Sequence, residues 1–243
     1  MESNSALRLL NVLDQLKAAN TNDSISKVVK KIFNDEDDSH VGIHIGRIFT
    51  LANTVHKQTI SLPDFEPETD LQWMPGVYAG LSSLSVKGNI NAFKDAYKPE
   101  VRAYLHSVAR NLAQHYPDPQ INSDTLKEIY DDISPLIDSL LHDENIDKAL
   151  KNFILDKLLL IQDVIANSSV VGFSELSSHV ESAFAGTIFR AGGIDEVQKI
   201  KRHSNGLATF IDWLGRLLIL LEVAGLGYKG IVLASQLLLG EVQ

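Results

Sequence analysis

The sequence predicts an all-α protein, an irregular bundle of about eight to eleven helices with an apolar helical hairpin near its C-terminal end. Three observations predict it. Apolar residues recur at helical spacing along most of the chain. Val, Ile and Thr are not gathered into short alternating runs between turns, so no strand stands out. Leucine-rich segments are joined by short polar turns, and no internal repeat divides them.

The first helix is marked by Ala6, Leu9, Leu10, Leu13 and Leu16, with Asn4 or Ser5 as its cap. Ile25, Val28, Val29 and Ile32 mark a second helix, which the polar run Asn34-Asp35-Glu36-Asp37-Asp38-Ser39 ends. A third is expected over His40 to Lys57, with Val41, Ile45, Ile48, Phe49 and Ala52 as its inner face. Further helices are expected at 75–86, 89–97 and 99–115. Pro75 and Pro99 suit a first helical turn, where the missing N–H costs nothing. Tyr116-Pro117-Asp118-Pro119 stops the chain, and Thr125 and Glu128 have capping-box spacing for the next helix. Pro135 is expected to end or kink that helix, with Ser134 capping the restart. The clearest stripe, Leu150, Phe153, Ile154, Leu158, Ile161, Val164 and Ile165, predicts a helix from Asn145 to Ala166. Beyond Gly172, Ser174 is expected to cap a helix that Gly186 ends. Leu207 to Leu239 is the most apolar stretch of all.

The chain reads as a single domain of residues 1–243. A subdivision is most compatible with 61–70, which holds Pro63, Pro67 and four acids, and would separate an N-terminal unit of 1–60 from a bundle of 71–243. At 243 residues, 44 % hydrophobic and 22 % charged, the chain can bury a core without staples. The net charge of −9 argues against nucleic acid and against broad adhesion to anionic lipid. The absence of cysteine excludes disulfides, thiolate nucleophiles and Cys-based zinc sites. Met1-Glu2-Ser3-Asn4-Ser5 carries no basic segment and no apolar run of signal-peptide type, so a cytoplasmic location is expected.

Four patterns invite a chemical reading. Gly225-Leu226-Gly227-Tyr228-Lys229-Gly230 fits G-x-G-x-x-G, but thirteen residues after Gly230 leave no room for the second strand and acidic ribose ligand of a dinucleotide fold. A glycine-rich turn between helices is the simpler account, and no cofactor is expected. His40 and His44 are four apart, the spacing that puts two imidazoles on one helix face as metal ligands. His56, about a third of a turn round, is poorly placed as a third ligand. The intervening Val41, Gly42 and Ile43 are not those of H-E-x-x-H. Asp35, Glu36, Asp37 and Asp38 are near enough to supply oxygens but lack the glycine and final glutamate of an EF-hand. The plainer account is a solvated acidic turn beside two histidines. Gly172-Phe173-Ser174-Glu175-Leu176 lacks the second glycine of a nucleophile elbow, and no P-loop is present. Lys199-Ile200-Lys201-Arg202-His203 reads as a helix C-terminus with cations favoured by the dipole.

The apolar end allows three readings. Phe210, Trp213, Leu214, Leu217 and Leu221 line a helix, and Tyr228 lies in the turn after it. Helices apolar all round are usually core, which is the first reading. An interface with another protein or a second copy is the next, and membrane insertion of the 207–239 hairpin is the last. No family is recognisable by motif, although the leucine-rich style is common among bacterial proteins. The expectation is a non-enzymatic helical protein acting through protein–protein contact, as a regulator, adaptor or complex subunit, with a place in bacterial host conflict or phage defence compatible with it. A membrane-acting effector and a metal-dependent enzyme using His40 and His44 are the alternatives.

Overall fold

A computed structural model describes residues 3–226. Among these the chain is 76 % helix with no strand. Fourteen α-helices lie among the described residues, of which Pro67–Asp70 and Ser168–Val171 are single turns. The remaining twelve exceed the expected eight to eleven by one. The chain packs as two compact units: residues up to Asp118 together with Ser169–Val171, and Pro119–Ser168 together with Gly172 onward. The stretch 61–70 lies inside the first unit.

The first unit contains α1 (Ser5–Ala18), α2 (Ile25–Phe33), α3 (Val41–Ile60), α4 (Pro67–Asp70), α5 (Met74–Ser82), α6 (Asn91–Ala96) and α7 (Pro99–His115). Asn4 caps α1 by accepting the Leu7 N–H at 3.0 Å, and its amide donates to the Ala109 carbonyl at 2.8 Å. Ala6, Leu9, Leu10, Leu13 and Leu16 are all buried. With Ser5, Arg8 and Val12 buried as well, the covered face of α1 is wide enough to pack against α2, α3, α6 and α7. Each buried leucine contributes about 1.5–3 kcal/mol from the water it leaves. Arg8, buried on α1, pairs with Asp118 and donates to the Val170 carbonyl at 3.3 Å. The Asp118 N–H donates to the Ser3 carbonyl at 2.6 Å. These bonds tie 118 and 170 to the first unit.

The second unit contains α8 (Ser123–Asp131), α9 (Ile133–His142), α10 (Lys148–Ala166), α11 (Ser168–Val171, whose last three residues belong to the first unit), α12 (Phe173–Ala191), α13 (Ile194–Lys201) and α14 (Asn205–Val223). Local detail departs from expectation in several places. The cap of α8 is Asn122, accepting from Asp124 and Thr125 at 2.9 and 3.1 Å, so Thr125 lies inside the helix. The break before α9 falls at Asp132, and Pro135 sits in the first turn of α9, where its missing N–H is harmless. Asp147 caps α10. Gly172, at φ 80°, precedes α12, so Ser174 is helical and caps nothing. Gly186 does not stop α12, which runs on to Gly192, at φ 92°. It is instead a packing glycine: the Phe153 ring of α10 fills the space that a side chain would need. Arg190 of α12 closes over the same ring, 4.5 Å from its centroid, and Lys157 lies 5.6 Å away.

Asp143, in the turn before α10, holds the start of α14. One carboxylate oxygen accepts the Ser204 hydroxyl at 2.7 Å and the Gly206 N–H at 2.8 Å, and the other accepts the Asn145 N–H at 2.9 Å. Burial pushes this carboxyl up, but the bonds from Ser204, Asn145 and Gly206 outweigh it and hold it below the ordinary 3.8. A carboxyl lowered in the folded state stabilises above its unfolded value, and that stabilisation is lost as pH falls through the folded one. Asp143→Ala is therefore expected to cost about 1–2 kcal/mol at neutral pH, and the cost should shrink in acid. Chemical denaturation of both proteins between pH 7 and pH 3 measures it.

Candidate metal centre

The site is built from the end of α2 outward. Phe33 is the last helical residue, and Asn34 turns left-handed at φ 49°. That conformation is tolerated by Asn better than by most residues. It lets the Asp35 N–H reach back to the Lys30 carbonyl at 3.0 Å, a Schellman-type closure that fixes where Asp35 stands. Asp35 then accepts the Asp37 N–H at 2.9 Å, and Asp37 accepts the Ser39 N–H at 2.8 Å. Asp38 is held on α2 by Ser26 at 2.6 Å and Lys30 at 3.0 Å. Lys30 also donates to the Glu36 carbonyl at 3.0 Å. A single 3-10 turn, Asp38–His40, leads into α3.

His40 thus precedes α3 rather than lying in it, while His44 is in its first turns. The Asp35 carboxylate joins them. Its Oδ2 lies 2.9 Å from His40 Nδ1 and 2.7 Å from His44 Nε2. The Asp37 N–H, and then His44 and His40, hold the Asp35 carboxyl well below the usual carboxylate range against the opposing effect of burial. An ionised Asp35 accepts, so each imidazole presents an N–H to it. Exposure is graded: the side chains of His44, Asp35 and His40 are 2, 23 and 49 % accessible. The His44 ring stacks on Phe33 with centroids 4.1 Å apart and 13° between planes. Its Nδ1 is buried with no hydrogen-bond partner among the described residues. The stack on Phe33 and the bond from Nε2 to Asp35 together set the ring's orientation.

One ligand atom from each of Asp35, His40 and His44 lies within 4.8 Å of the other two. Around a tetrahedral ion with bonds of about 2.0–2.1 Å, neighbouring ligand atoms stand about 3.3 Å apart. The two hydrogen-bonded spacings, 2.7 and 2.9 Å, need to widen by only about half an ångström when an ion replaces the two protons. Two imidazole nitrogens and one carboxylate oxygen suit zinc, cobalt, nickel or ferrous iron better than calcium or magnesium, which prefer all-oxygen shells. Asp37, whose Oδ2 stands 3.8 Å from His40 Nε2, adds attraction for a cation. Of the four acids near the histidines in sequence, the fold selects Asp35 as the one that joins both.

No family model, curated protein or solved structure matches the chain.

The other candidate residues stand elsewhere. Phe210, Trp213, Leu214, Leu217 and Leu221 are buried in the second unit, not displayed on its surface. Trp213 donates its indole N–H to the Ile129 carbonyl at 3.0 Å. As placed, these five side chains offer no contact surface. Tyr228 and the second arm of the expected hairpin lie outside the described residues. Among the described residues no helix is long and apolar enough to cross a membrane. In the basic run, Lys199 pairs with Glu196 at 2.5 Å and Lys201 with Asp212 at 2.9 Å. His179 lies 3.7 Å from Glu175 on its own helix. A polar cavity of about 660 Å³ in the second unit is lined by Asp138, His142, Asp143 and His203 among others. In the first unit, one of about 290 Å³ lies beside Asp64, Asp70 and His115.

Proposed function

We propose that this helical protein binds one divalent transition-metal ion of the zinc class through Asp35, His40 and His44, and that ion binding in the first unit carries its function. The observation behind this reading is the convergence of three ligand atoms within 4.8 Å on a turn held by its own backbone bonds. A prearranged ligand set lowers the cost of ordering when the ion arrives. The reading retains a non-enzymatic role, in which the ion stabilises the α2–α3 junction. Calorimetric titration of zinc into the chain, free of any histidine tag, tests it. The expected result is one ion per chain, with affinity falling at least about tenfold in His40→Ala, a variant that removes a half-exposed ring and leaves the core intact. Equal binding by both proteins would place the ion elsewhere.

Contact with another protein is a second reading, favoured by one observation. Phe189 and Val223 in the second unit are 85 and 83 % exposed, unusually bare for large apolar side chains. Sedimentation that depends on concentration, and that Phe189→Asp abolishes, supports self-association. An unchanging monomer counts against it.

A further inference from the structure

We infer that Asp37 is a positioning residue of the metal centre: its carboxylate holds the second nitrogen of His40 once an ion occupies the first, and so raises the affinity for the ion through that ring. The inference rests on the metal-binding reading above and goes beyond it by adding a residue outside the ligand set.

Three observations carry it. First, the His40 ring stands between two carboxylates. Its Nδ1 faces Asp35 Oδ2 at 2.9 Å, and its Nε2 faces Asp37 Oδ2 at 3.8 Å. A neutral imidazole has a single N–H. Toward an ionised Asp35 that N–H lies on Nδ1. An ion at Nδ1 requires it on Nε2 instead, the edge that faces Asp37. Ion binding thus turns a carboxylate beside a lone pair into a carboxylate beside an N–H. A carboxylate on the second nitrogen fixes the tautomer and orientation of a metal-bound histidine. Second, Asp37 is anchored and charged. Its Oδ1 accepts the Ser39 N–H at 2.8 Å. Bonds from the Ser39 backbone and hydroxyl hold its carboxyl below the ordinary carboxylate value, so it is ionised at neutral pH. A movement of about 1 Å converts its approach to Nε2 into a charge-assisted hydrogen bond. Third, the next residue supplies a contrast. Asp38 carries the same charge in the same turn, but Ser26 and Lys30 hold it on α2. A contribution specific to the ring therefore separates from one of net charge.

Calorimetric titration of zinc into the full untagged chain at neutral pH tests this. Asp37→Asn keeps an oxygen to accept the Ser39 N–H, so the turn stands, but the amide carries no charge. It is expected to bind one ion with about tenfold lower affinity. Asp38→Asn removes an equal charge that does not face His40, and its affinity should stay within about twofold of wild type. In the His40→Ala chain, Asp37→Asn should change nothing further, because Asp37 acts through that ring. Undiminished affinity in Asp37→Asn overturns the inference. Equal losses in Asp37→Asn and Asp38→Asn also overturn it, since net charge alone would then be at work. A full tenfold loss in the His40→Ala background overturns it as well, because Asp37 would then act on the ion without the ring. Failure of the wild-type chain to bind zinc is a different outcome: it overturns the metal-binding reading itself and this inference with it.

Discussion

Trp213→Ala is expected to lower the stability of the second unit by about 4 kcal/mol, more than any other single change proposed for this chain. Trp213 is 1 % exposed on α14, stacks near Phe210 with centroids 6.3 Å apart, and gives its N–H to Ile129 of α8. Truncation leaves a cavity too large to collapse and removes the donor from the Ile129 carbonyl. For a unit of this size the transition should move down by on the order of 15 °C. Trp213→Phe keeps most of the ring and loses the hydrogen bond, so about 1–2 kcal/mol is expected. Thermal and denaturant unfolding of the three proteins measure both losses. A loss below about 1 kcal/mol for Trp213→Ala would mean that the residue faces outward, and would make Phe210, Trp213 and Leu217 a contact surface again.

The second large effect is on zinc affinity. His44→Ala removes the deepest ligand of the proposed centre, and affinity should fall at least about a hundredfold, or about 2.7 kcal/mol. The substitution also removes the Phe33 stack, so some loss of stability is expected with it. Asp35→Asn separates the two effects, because an amide keeps the volume but is a poorer ligand. It should bind zinc weakly while the helices remain, as read by far-ultraviolet circular dichroism. Undiminished zinc binding in both variants would contradict the assignment.

Much of the helical layout is legible in the chain. The α10 stripe predicts its burial, because a periodicity of 3.6 maps directly onto one face. Asn4 is legible as a cap because its short side chain competes for helix N–H groups. The histidine spacing points to two rings near one another. What spacing alone does not reveal is which acid joins them, since that depends on the left-handed turn at Asn34 rather than on proximity in sequence. An asparagine just after Lys30-Lys31-Ile32-Phe33 is the signal present for it. The boundary between the units is also hidden. Proline and acid content single out 61–70, yet those features mark turns, and unit boundaries depend on long-range packing. Ser3 and Arg8 hold Asp118 to α1, and no local pattern records that pairing. Gly186 misleads for a related reason. Its role is set by Phe153, thirty-three residues away in sequence, and not by its own helix.

The most direct test of the metal centre is anomalous diffraction from crystals of the untagged chain grown with zinc. A single strong peak is expected within about 2.3 Å of Asp35 Oδ2, His40 Nδ1 and His44 Nε2 together. Zinc-soaked crystals with no peak there, or with zinc bound only by other residues, would rule this centre out.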